Sequence, residues 1–187
     1  MLDTLITNKT RLKLLFRFFL NSGSNSYLRG LEEEFDESTN AIRLELNRFE
    51  ATGLLVSKTE GRKKMFKANP GHPLYPEIYM MMRKQVGLDR IIVQIIEKLG
   101  AIRKAYMAGD LARGKDATSI ELVLVGANID QACLEGLVRK TEALITRKIH
   151  YQVIRKAEEQ SFLQDRPESL LIWDGGKRRK RGEREGY

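Results

Sequence analysis

Ser38, Thr39, Asn40, Arg43, Asn47 and Arg48 lie on one short stretch that repeats apolar residues at helical spacing. Ile42, Leu46 and Phe49 follow the i, i+4, i+7 rule of a buried stripe. If that stripe faces inward, the polar set faces out, and its chemistry is that of reading a DNA duplex. Asn bonds adenine in bidentate fashion, Arg does the same to guanine, and Ser or Thr bonds phosphate or base. Arg62, Lys63 and Lys64 follow on a turn and supply point charges for a run of phosphates. Ser26 and Tyr27 open the preceding helix, where phosphates dock on free N–H groups.

A second constellation spans 109–126, Gly-Asp-Leu-Ala-Arg-Gly-Lys-Asp-Ala-Thr-Ser-Ile-Glu-Leu-Val-Leu-Val-Gly. Gly109, Gly114 and Lys115 have the spacing of a phosphate-cradling P-loop. Asp116 stands where the Mg²⁺-binding hydroxyl belongs, and Asp110 adds negative charge to a loop meant for phosphate. A strand also begins a few residues later, where a P-loop would open a long helix. The P-loop reading fails on these points.

The same stretch resembles the minimal nucleotidyltransferase fold. The matching residues are Gly109, Ala112, Arg113, Gly114, Ile120, Leu122, Val125 and Gly126, and the resemblance extends loosely over 89–174. It implies an α/β nucleotidyltransferase-like domain. The departures fall on the chemistry. Asp110 replaces the family's serine, Ser119 its first strand carboxylate, and Glu121 its second. The strand at 150–154 carries no third acid. Nucleotidyl transfer needs two or three carboxylates to hold Mg²⁺ around the triphosphate. The expectation is therefore a catalytically inactive copy of the fold, kept for dimerisation or sensing: no enzyme, no cofactor. Cys133, His72 and His150 are far apart in sequence and have no metal-ligand spacing.

The elements that must position these residues follow from periodicity and breakers. Residues 9–21 read as a helix with Leu12, Leu15, Phe16, Phe19 and Leu20 on its apolar side. Residues 27–35 make a second helix, Asp36–Ser38 a turn and cap, and 39–51 a third helix. Gly53 ends it; 54–59 and 65–68 pair as a hairpin across a basic turn at 60–64. Ser38-Thr-Asn-Ala-Ile42, Leu46-Asn-Arg-Phe49, Gly53-Leu-Leu-Val56 and the basic hairpin resemble the winged helix-turn-helix of arsenic-repressor-like bacterial regulators, over about 70 residues. The acidic run Glu32, Glu33, Glu34, Asp36 and Glu37 reads as a solvated helix end tilted away from phosphate.

Asn69–Pro73 is a joint, with two prolines and a glycine. Helices follow at 75–86 and 89–99. Ile78, Met81, Met82 and Val86, then Ile91, Ile92, Ile95, Ile96 and Leu99, read as a dimer seam, since such regulators bind two-fold sites as homodimers. Strands at 103–108, 119–125, 150–154 and 169–173 alternate with helices at 130–148 and 158–164, an α/β layer. The basic tail 175–187 has nothing to bury and is expected to be disordered.

The chain of 187 residues carries a net charge of +8. Residues 1–70 hold 12 basic and 9 acidic residues, and 176–187 hold 6 and 2, whereas 89–175 balance at 13 and 13. An anionic partner would meet the ends of the chain. A hydrophobic share of 42% and a single cysteine exclude pervasive disorder and a disulfide scaffold. No apolar run reaches the ~20 residues of a membrane span, and a cytoplasmic setting is expected.

The sequence thus predicts an α+β chain: a winged helix-turn-helix at 1–70, a linker at 71–99, and a nucleotidyltransferase-like domain at 100–174. The function it predicts is sequence-specific transcriptional regulation on double-stranded DNA. Two other readings stand beside it. One is a working nucleotidyltransferase with an accessory front domain, the other a protein-interaction scaffold.

Overall fold

The structure, a computed structural model, describes residues 2–21, 23–145 and 147–176. It is mixed α+β and divides into two units. One comprises Met1–Asp89 with Gly109–Thr118, the other Arg90–Ala108 with Ser119–Tyr187. The stretch 109–118, which the sequence places inside 100–174, groups with the first unit.

The first unit begins with α1 (Leu2–Leu5) and α2 (Lys9–Leu15), whose start is capped by Asn8 accepting from the Arg11 N–H at 2.8 Å. The expected helix continues to Leu20, but Phe16–Leu20 is a π-helical turn. The wider turn changes which side chains share a face. Leu14, Phe16, Phe18, Phe19 and Leu20 are all buried, while Leu12, expected on the stripe, is half-exposed.

β1 (Ser26–Tyr27) leads into α3 (Leu28–Phe35), which stops at Asp36 in the left-handed region at φ 52°. Ser38 then caps α4 (Thr39–Ala51), its Oγ accepting from the Ala41 N–H at 3.2 Å. β2 (Leu55–Glu60) and β3 (Lys63–Ala68) pair antiparallel with Glu60 opposite Lys63. The turn is therefore only Gly61 and Arg62, shorter than expected, with Gly61 at φ +59°. Two-residue hairpins need positive φ, which glycine supplies without steric cost. The sheet order is β1-β3-β2. Ile42, Leu46 and Phe49 are buried as expected. α5 (Tyr75–Val86) follows the proline joint.

α6 (Leu88–Ile91), a π-helical turn at Ile92–Ile96 and α7 (Glu97–Leu99) carry the chain from the first unit into the second. β4 (Ile102–Ala108), α8 (Gly109–Ala112), β5 (Ser119–Gly126), α9 (Gln131–Ile145), β6 (Lys148–Ile154), α10 (Glu159–Asp165) and β7 (Leu170–Asp174) complete the chain. The four-stranded sheet has the order β6-β5-β4-β7; β4 is antiparallel to both its neighbours and β5 is parallel to β6. α9 makes the crossover that a parallel pair requires. β5 is buried on both faces, which accounts for its continuous apolar run. On one face Val123 and Val125 join Tyr106, Ala108 and Ile154, with Phe162 and Leu163 of α10 packed against them.

Of the stripe read as a dimer seam, Met82, Val86, Ile91, Ile95 and Ile96 are buried within the chain, whereas Ile78, Met81, Ile92 and Leu99 are half-buried. Among the described residues, no helix is long and apolar enough to cross a membrane. The tail 177–187 lies outside the described residues.

Candidate functional site

In the first unit, α3, α4 and the β2–β3 hairpin enclose a groove of about 630 Å³. Its apolar lining is Tyr27, Leu28, Leu46 and Phe66; its polar lining is Arg29, Arg43, Asn47, Arg62, Lys63 and Lys64. Five cations and no carboxylate line it. In such a concave, one-signed site the fields of the charges add, which favours an anionic ligand.

Six of the expected residues meet here: Tyr27, Arg43, Asn47, Arg62, Lys63 and Lys64. Arg43 and Asn47 sit one turn apart on the exposed side of α4. Lys63 Nζ lies 4.1 Å from the centroid of the Tyr27 ring, a cation–π contact that holds the hairpin against the start of α3. Lys63 and Lys64 belong to β3 rather than to the turn. Lys64 Nζ is 2.6 Å from Glu50 Oε2, and Ser57 Oγ donates to Glu50 Oε1 at 2.5 Å. These contacts hold the Glu50 carboxyl below the usual carboxylate range, Lys64 contributing most.

The other five expected residues lie elsewhere. Ser26 is buried, paired opposite Phe66 in the sheet, and presents nothing to phosphate. Ser38 spends its oxygen on the cap of α4. Thr39 and Asn40 occupy the first turn of α4, outside the groove lining. Arg48 is exposed, but its guanidinium donates to Glu45 Oε1 at 2.5 Å. Its first role is therefore to hold its own helix.

Two residues were missed. Arg29 enters the groove from the first turn of α3; a count of cations near Tyr27 would have found it. Glu45 lies on the inward stripe between Ile42 and Phe49, and a charge at such a position signals a buried pair. Its side chain is 3% exposed and accepts from Arg11 Nε at 2.7 Å as well as from Arg48. The acidic run is also used differently from expectation. Arg17 Nε bonds Glu34 at 3.2 Å and Lys13 Nζ bonds Glu37 at 2.9 Å, so these two acids tie α3 and its following turn to the first helix.

The Glu45 pair makes stability pH-dependent. Hydrogen bonding from Arg11, more than the contribution of Arg48, holds the Glu45 carboxyl below the usual range. A depressed carboxylate contributes stability above its unfolded pKa, and that contribution is lost as the pH falls through the folded value. Urea denaturation at pH 7 and at about pH 3 is expected to show an acid loss in the wild type that shrinks in Glu45→Gln. An equal acid loss in both chains would remove Glu45 from the account.

Asp110 is exposed, 3.9 Å from Arg113 Nη1, in the first unit. Glu121 belongs to the second unit and pairs with Arg166 at 2.5 Å. His72 Nδ1 accepts from the Leu74 N–H at 3.1 Å, the loop contact expected of it; His150 is exposed on β6 opposite Glu121. Among the described residues, no group of three or more His, Cys, Asp or Glu could hold a metal ion.

No protein-family model and no curated protein matches the chain. Solved structures are similar to it, among them the following two. One is a presumed nucleotidyltransferase from Sulfolobus solfataricus, 17% identical, with TM-score 0.36, covering 50% of this chain and 84% of its own. The other is a tri-AMPylated Shewanella oneidensis HEPN toxin in complex with MNT antitoxin, 12% identical, with TM-score 0.36, covering 50% of this chain and 74% of its own. Each is a likeness to half of this chain. The expectation of no enzyme is withdrawn: one of the similar structures is of a presumed nucleotidyltransferase.

Proposed function

We propose that this chain binds double-stranded DNA through its first unit and acts as a sequence-reading regulator. One observation carries the reading: the groove between α4 and the β2–β3 hairpin is lined by five cations, Asn47 and no acid. The order of helices, and the sheet order β1-β3-β2, support taking this unit as a winged helix-turn-helix with α4 as its recognition helix.

In this reading Arg43 and Asn47 face base edges in the major groove. Arg29, Arg62 and Lys63 bracket the phosphate strand beside them, and Lys64 joins them when DNA displaces Glu50. Ser38 and Glu45 touch no DNA; they set the start and the tilt of α4.

The test is selection of bound fragments from the source genome at ~0.15 M salt, since affinity without a stated salt level is uninterpretable. Enrichment of a few related sites supports the reading. Uniform weak retention of all fragments, or none, overturns it.

The hairpin has its own signature. An Arg62→Ala/Lys63→Ala/Lys64→Ala variant is expected to weaken binding to every fragment alike and to flatten the log–log salt dependence by about 3. A loss confined to particular sequences would mean that the hairpin reads bases.

A further inference from the structure

The second unit has a cavity that the DNA reading does not use. β5 and β6 are parallel, and β7, antiparallel to β4, runs with them. Three carboxyl ends therefore open on one edge of the sheet, beside the start of β4. Small molecules bind at that edge of α/β sheets, because backbone groups there are left unpaired by the ladder. A cavity of about 500 Å³ lies there, within the size range of small-molecule sites. It is built at the end of the sheet opposite Glu121, which pairs with Ala108 at the far end of β4.

Its apolar lining is Ile102 and Val125, and its charged residues are Arg103, Lys104, Lys156, Glu159 and Asp174. Glu159 is ion-paired, whereas, among the described residues, Asp174 accepts only a backbone hydrogen bond. Glu159 Oε1 accepts from Lys104 Nζ at 2.6 Å and from the Tyr106 hydroxyl at 2.5 Å. Asp174 Oδ1 accepts from the Gly176 N–H at 3.0 Å. Lys104 bonds Glu159, and Lys156 adds to the positive field that holds the Glu159 carboxyl down. Arg103 and Lys156, both exposed, are the other cations of the lining. Gly175 closes one side: its N–H donates to the Arg103 carbonyl at 2.7 Å, and a Cβ there would lie 3.1 Å from the same oxygen.

We propose that this cavity binds a small organic phosphate. A phosphate monoester is an anion at neutral pH, which suits a lining of three cations against two acids, one of the cations a guanidinium able to bond two oxygens. The carbon portion of the ligand lies on Ile102 and Val125.

Trp173 is the chain's one tryptophan, and a Cβ on Gly175 would lie 3.6 Å from its indole nitrogen. Its fluorescence therefore reports on the rim. The experiment titrates the full chain with phenyl phosphate, with phenol and a DNA oligonucleotide as separate arms. A saturable change with phenyl phosphate is expected, absent with phenol, and weakened about tenfold or more in Arg103→Gln/Lys156→Gln. Three results overturn the proposal: no saturable change with phenyl phosphate, undiminished binding in the double variant, or a response to the oligonucleotide alone. Both replaced side chains are exposed, so the variant keeps its fold; an unchanged thermal transition checks this.

Discussion

Replacing Arg43 and Asn47 together by alanine is expected to abolish enrichment of specific DNA fragments while leaving weak, salt-sensitive retention. The two side chains line the groove from successive turns of α4. A well-placed bidentate contact to a base is worth about 1–3 kcal/mol of discrimination, so losing two lowers preference for the cognate site by roughly 30-fold or more. Nonspecific binding rests on phosphate contacts, which Arg29, Arg62 and Lys63 would still make. Both replaced residues are exposed and the buried stripe is untouched, so thermal stability is expected to hold within about 0.5 kcal/mol. Arg48→Ala is the informative companion. Its guanidinium bonds Glu45, so its loss should cost stability more than preference. If Arg48→Ala erased preference and the Arg43/Asn47 pair did not, the assignment of faces on α4 would be wrong.

Gly114→Ala is expected to destabilise the first unit by about 3 kcal/mol or more. Gly114 has φ +81°, and a Cβ built there would lie 2.4 Å from Arg17 Cα and 2.9 Å from Arg17 O. Those atoms are backbone, so no side-chain rotation relieves the clash. Left-handed backbone costs a non-glycine residue about 1–3 kcal/mol, and forced overpacking a similar amount. Nearby, Asn21 Nδ2 donates to the Ala112 carbonyl at 2.8 Å, a second tie between 109–118 and the first helical segment. Gly136→Ala is the contrast. It lies inside α9 with nothing within 4 Å of its added Cβ, so the same change there should stabilise by about 0.5–1 kcal/mol. Scanning calorimetry on the two variants separates the cases. An unchanged transition in Gly114→Ala would show that the stretch does not rest on Arg17.

This places the glycine of the Ala-Arg-Gly stretch in a new light. In the sequence, Gly114 reads first as part of a phosphate loop and then as a nucleotidyltransferase signature residue. In the structure its lack of a side chain admits the Arg17 backbone. Nothing local to 109–118 announces a partner nearly a hundred residues earlier.

Element types were legible wherever one period dominates. The stripe of Ile42, Leu46 and Phe49 specified α4 and its outward face. The β-branched run at 119–125 specified a strand. Ser38 marked the start of the helix it caps. These signals are local, because helix and strand periods and cap hydrogen bonds span only a few residues.

The groove was only half legible. Arg43 and Asn47 follow from the period of α4. Ser26 and Arg48 did not fall where expected, because burial in the sheet and a bond to Glu45 depend on what packs against them. The apolar stripe at 78–99 shows the same limit: an apolar face states that it is covered, and only the tertiary structure says by what. The organic-phosphate cavity had no sequence signature, since Arg103, Lys156 and Asp174 come from three separate strand ends. By itself the sequence determined the elements, their order and the basic bias of the front segment, all set by short-range periodicity and composition. The tertiary structure alone decided which charges are spent on each other and which stay turned to the solvent, because ion pairing depends on distances between residues far apart in the chain.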